Sequence, residues 1–93
     1  MKAKMVVLFA HWCPKCNMMM PIVDEIESHY GDKLQVVRID VEKHPDAMES
    51  YEAEIVPTFV LYHGNFEVGR MAGMIGEKTI YNRINVLFSE EFS

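Results

Sequence analysis

Two cysteines, Cys13 and Cys16, stand between a short apolar run and a helical pattern that opens on Pro14. They are the only cysteines in 93 residues. Two are too few for a disulfide scaffold, so a hydrophobic core must hold the chain together. Hydrophobic residues make up 49% of the chain, enough for one core, and the length suits one domain, taken as residues 1–93. The formal net charge is -5 with no basic patch, which argues against a nucleic-acid partner. No apolar stretch approaches the roughly 20 residues that span a bilayer, so no membrane role is expected. Met1 to Lys4 followed by a short apolar run lacks the form of a secretory signal. The chain reads as a cytoplasmic protein and a monomer in a reducing compartment.

The segment Met5-Val6-Val7-Leu8-Phe9-Ala10 is continuous, apolar and rich in β-branched residues, as in a strand buried on both faces. A helix is predicted from Pro14 to about Tyr30, with Met18, Met19, Ile22, Val23 and Ile26 at helical spacing. Pro21 should kink it and Gly31-Asp32 should end it. Of Met18, Met19 and Met20, two are expected to fill core gaps and one to meet solvent. Leu34 to Val41 is a second strand, parallel to the first through the crossover helix. A short helix follows from Asp46 to about Tyr51. Pro57 to Tyr62 and Phe66 to Met71 form an antiparallel hairpin around His63-Gly64-Asn65. Glu77 to about Ser89 closes the fold as a helix, and Ser89 to Ser93 reads as a frayed end. The predicted class is α/β, with order βαβαββα.

The position of the cysteine pair gives it chemistry. At a helix start, unpaired backbone N–H groups and the helix dipole favour a thiolate over a thiol. Lys15 adds positive charge, while Pro14 removes one N–H. A thiolate attacks disulfides. Cys13, at the first turn, is therefore the attacking residue. Cys16, one turn inward, is the resolving residue that breaks the mixed disulfide. Inert buried cysteines are the bland alternative. A metal-binding module is the sharper one, since His11, Cys13 and Cys16 offer three soft ligands, suited to Cu(I) or a shared cluster. Structural zinc would need a fourth ligand, and no second cysteine pair supplies it.

The stretch Val6 to Cys16, Pro21, Ile55-Val56-Pro57-Thr58-Phe59 and Gly73 together resemble the thioredoxin superfamily in order and spacing. The resemblance runs from about Met5 to Leu87. It implies a three-layer α/β/α thioredoxin-like domain with a four-stranded mixed sheet of order 2-1-3-4. It implies a cis proline at Pro57 and a shallow groove around Cys13 built from Trp12, Val56, Pro57 and Gly73, with Pro14 and Lys15 bordering it. The backbone at Val56 would pair with a bound peptide. Protein disulfides would be substrates, and the electron donor a thioredoxin-reductase-type enzyme or glutathione. No cofactor is implied beyond the redox-active pair. Departures from the family pattern are specific. Pro14-Lys15 replaces Gly-Pro, in the manner of glutaredoxins. Val7 stands where the family has a buried aspartate, which leaves Arg38 as a surface residue. The segment Ala72 to Lys78 lacks the glycine and acidic pair of a glutathione site, so glutaredoxin is the alternative reading.

Overall fold

The computed structural model describes residues 2–90, with the side chains of Ser89 and Glu90 left aside. Residues 91–93 of the expected frayed end lie outside the described residues. The first strand, β1, is Ala3–Phe9. It begins earlier than the apolar run because Ala3 and Lys4 already pair with Leu34 and Gln35 on one side and with His63 and Tyr62 on the other. Helix α1, Pro14–Tyr30, runs through Pro21 as one element. A 3-10 turn at Gly31–Lys33 leads to β2, Leu34–Asp40. Helix α2 is a single turn, Ala47–Ser50, within a residue of the expected span at each end. Its helical bonds reach Tyr51, whose N–H donates to the Ala47 carbonyl at 3.0 Å, and Glu52 at φ +54 then leaves the helix. Strands β3, Thr58–His63, and β4, Phe66–Ala72, form the hairpin, and α3 is Glu77–Glu90.

The sheet order is β2-β1-β3-β4. β1 is parallel to β2 and antiparallel to β3, and β4 is antiparallel to β3. Alternation along β1 explains the layers. Met5 and Val7 face Met19, Val23 and Ile26 of α1 and Ile80, Ile84 and Leu87 of α3. Val6 and Leu8 face the opposite side, against Ala47 and the partly buried Met48 and Tyr51. Two helices therefore cover one face and α2 the other, the three-layer arrangement read from the sequence. The methionine triplet divides as its helical spacing demands. Met19 is fully buried, Met20 packs partly against the core, and Met18 is exposed.

Arg38 lies at the surface as expected, half-buried and with partners on α1. Its guanidinium is held by Asp24 at 2.6 Å and by Glu27 at 3.1 Å, both on α1. A carboxylate pair on the helix takes the place of a buried acid on β1, where Val7 is fully buried. This ion pair ties the crossover helix to β2 at the surface, where such a contact contributes modestly.

Candidate active site

The site forms where β1 ends. Ala10 accepts the N–H of Cys13 at 3.3 Å, which turns the chain out of the sheet. Cys13 then caps α1 with extended backbone, φ -89 and ψ 113. Its sulfur accepts the N–H of Cys16 at 3.2 Å, the role a serine or aspartate oxygen plays at other helix starts. Pro14 fills the first helical position, where its missing N–H costs no hydrogen bond. Cys16 lies one turn in and is fully buried, while Cys13 is 5% exposed. Both are free thiols, packed with Ala10 and against Phe9, Val41 and Val56.

The two sulfurs differ in acidity. Burial alone would push the Cys13 thiol up, but four effects outweigh it. They are the hydrogen bond from the Cys16 thiol, those from the Cys16 and Lys15 N–H groups, and the Lys15 charge. The Cys13 thiol is therefore held below its ordinary value. Burial and the Cys13 sulfur, which holds the proton and adds negative charge, push Cys16 up to about 11. One sulfur is thus the more readily ionised of the two, and the other holds its proton more tightly.

The far wall comes from the β3–β4 side. The Val56–Pro57 bond is cis, as the resemblance implies. The Cys13 thiol donates to the Val56 carbonyl at 3.6 Å. Thr58 fixes this loop by donating its hydroxyl to the Ile55 carbonyl at 2.7 Å. Gly73 is joined directly to it, donating its N–H to the Pro57 carbonyl at 2.8 Å. Gly73 has φ +82, a left-handed conformation that favours glycine. The fold thus brings Cys13, Cys16, Val56, Pro57 and Gly73 together from three separate segments. Trp12 stands beside them, 68% exposed, and Pro14 and Lys15 are exposed on the helix start.

Some features of the rim were not read from sequence. Ile55 and Met74 are large exposed apolar side chains flanking Pro57 and Gly73. Their position next to the two landmark residues was the available signal. His11 does not turn towards the cysteines as a third ligand. Its Nε2 pairs with Asp40 at 3.2 Å, its N–H donates to Glu42 at 3.1 Å, and its carbonyl accepts from the Asn17 side chain at 3.2 Å. Among the described residues no group of three or more His, Cys, Asp or Glu side chains could hold a metal ion.

A mixed four-stranded sheet with a Cys-x-x-Cys helix cap facing a cis proline defines the class of thioredoxin-fold dithiol proteins. Comparison with known proteins narrows the class. The Thioredoxin family model matches residues 1–86, and the chain belongs to the thioredoxin family. It is 37% identical over 83 residues to chloroplastic thioredoxin Y1 of Arabidopsis thaliana, covering 89% of this chain and 48% of that protein. It is 38% identical over 73 residues to a thioredoxin-like protein of Synechocystis, covering 78% of this chain and 70% of that one. The chain spans about half the length of the chloroplastic relatives it matches. Among solved structures, the germline-specific thioredoxin Deadhead of Drosophila melanogaster superposes with a TM-score of 0.85 at 30% identity, covering 92% of this chain and 81% of that one. Among the described residues no helix is long and apolar enough to cross a membrane.

Proposed function

We propose that the protein is a thiol–disulfide oxidoreductase that reduces protein disulfides by reversible exchange at Cys13 and Cys16. The observation that carries this reading is the asymmetry of the pair. The Cys13 sulfur accepts an N–H and is held low, while Cys16 beside it is pushed up to about 11. Cys13 as thiolate attacks one sulfur of the substrate disulfide, and the other substrate sulfur leaves as a thiolate that takes up a proton. Cys16, on losing its proton, attacks Cys13 in the mixed disulfide. The second substrate thiolate leaves, and a Cys13–Cys16 disulfide remains. Two electrons have passed to the substrate, and no cofactor beyond the pair is needed.

Trp12, Pro14, Lys15, Val56, Pro57 and Gly73 form the substrate surface in this reading. The exposed indole gives apolar contact, and the Val56 backbone pairs with an extended peptide. Membership of the thioredoxin family supports a thioredoxin-reductase-type enzyme as electron donor, rather than glutathione. The protein acts as a monomer in a reducing compartment such as the cytoplasm.

The test combines two variants with a choice of donor. Cys13→Ser abolishes disulfide reduction, and Cys16→Ser accumulates mixed disulfides with substrate proteins, seen on non-reducing gels. Full turnover by the Cys16→Ser protein without trapped partner overturns the assignment of roles. Turnover of the disulfide form with a thioredoxin-reductase-type enzyme and NADPH is the expected donor result. Turnover with glutathione alone reverses it.

A further inference from the structure

The Val56 carbonyl stands in two relationships at once. It accepts the Cys13 thiol at 3.6 Å, and it belongs to the residue whose backbone pairs with a bound peptide in the reading above. This inference rests on that reading. A carbonyl has two lone pairs, but here the loop leaves it little freedom. The Thr58 hydroxyl fixes the preceding carbonyl, and Gly73 fixes the following one. Val56 is itself half-buried against the Cys13 cluster.

We propose that the Val56 carbonyl couples peptide binding to ionisation of Cys13. With no peptide bound, the carbonyl accepts the S–H and so favours the thiol. Its negative end also faces the sulfur and opposes a thiolate there. A peptide N–H that donates to the same oxygen displaces the S–H bond and offsets that negative end. The thiol then gives its proton to solvent, and the sulfur keeps its bond from the Cys16 N–H. No heavy-atom bond changes and nothing is oxidised in this step. Arrival of a peptide thus releases the nucleophile, and by linkage the thiolate form binds peptide more tightly by the same factor.

The other charged and titratable groups around Cys13 do not share this acceptor. Cys16 and Lys15 lie on its own helix, His11 lies in the turn leading to it, and Asp40 and Glu42 lie at the end of β2. The segments 55–58 and 72–76 contribute no titratable side chain.

The experiment uses an acetylated, amidated nine-residue peptide with no titratable side chain, with Ser at the position of the target cysteine. Binding to the reduced full chain is followed by amide NMR shifts at Trp12, Val56 and Gly73, at several pH values on both sides of the Cys13 titration. Affinity is expected to rise roughly three- to tenfold towards high pH, the range that one ordinary hydrogen bond sets. Saturating peptide should move the Cys13 titration down by the matching amount. Cys13→Ala should bind at the high-pH affinity at every pH. The same peptide N-methylated at the donating amide should bind without pH dependence. Binding of equal affinity at all pH values, with an unmoved Cys13 titration, overturns the coupling and leaves the reading of the groove intact. Absence of any shift at Trp12, Val56 and Gly73 at every pH overturns both.

Discussion

Replacing Cys16 with alanine separates the two donors that act on the Cys13 sulfur. The Cys16 N–H, at 3.2 Å, belongs to the backbone and survives the substitution. The Cys16 thiol, which also lowers the Cys13 value, is lost. A hydrogen bond to a charged group contributes about 1.5–3 kcal/mol, equivalent to about one to two pH units in a titration. The remaining donors and Lys15 still act, so the lower end applies and Cys13 should titrate about one unit higher. Below the midpoint the thiolate fraction then falls about tenfold. The more basic thiolate is about threefold more nucleophilic, because reactivity rises with about the 0.4–0.5 power of basicity. Alkylation of Cys13 should slow by a net factor of roughly three to four. Cys16→Ser keeps a hydroxyl donor and should stay within about twofold of the parent. The assay is thiolate ultraviolet absorbance against pH, paired with iodoacetamide alkylation rates. If the alanine variant titrates at or below the parent, or if the two variants superimpose, the Cys16 side chain does not stabilise the Cys13 thiolate and the reasoning fails.

Gly73→Ala should cost about 1–2 kcal/mol in urea unfolding, from its left-handed backbone, φ +82. Space is not the cause, since the added carbon would lie 3.9 Å from Ile55, an ordinary contact. Ile84→Ala should cost about 2–5 kcal/mol, because this fully buried side chain fixes α3 to the sheet. The reduced protein should lose stability relative to the oxidised form above pH ~8.5. Folding raises Cys16 to about 11, so its contribution is full below the unfolded value and declines as pH rises towards the folded one. Urea midpoints of both redox forms across this window check it, and a constant difference between them overturns it. Tyrosines that titrate higher are common to both forms and cancel.

Much of the fold follows from local pattern. The apolar run in β1, the proline at the start of α1 and the stripe of Ile80, Ile84 and Leu87 each specify an element and the face it buries. Those faces leave one arrangement of helices about the sheet. The second helix matches the expected span to within a residue at each end, but its stop at a left-handed Glu52 has no signal in the sequence. The donors on the Cys13 sulfur were legible, since they come from the same helix turn. The resemblance puts Val56 near Cys13, but the thiol's bond to its carbonyl and the His11–Asp40 pair were not legible, because each joins residues far apart in sequence. The absence of an acid at Val7 is legible from the residue itself. The partners of Arg38 are not, because Asp24 and Glu27 look like any solvated helix face.

The burial of Cys13 bears on its durability. A thiolate that attacks well is also prone to peroxide, which converts it to a sulfenic acid and, on further attack, to irreversible products. Only 5% of Cys13 is exposed, and a second thiol packs against it within the same small cluster. A sulfenic acid formed at Cys13 would condense with Cys16, release water and leave the ordinary disulfide. Damage would then end in the same Cys13–Cys16 disulfide that the proposed cycle reduces.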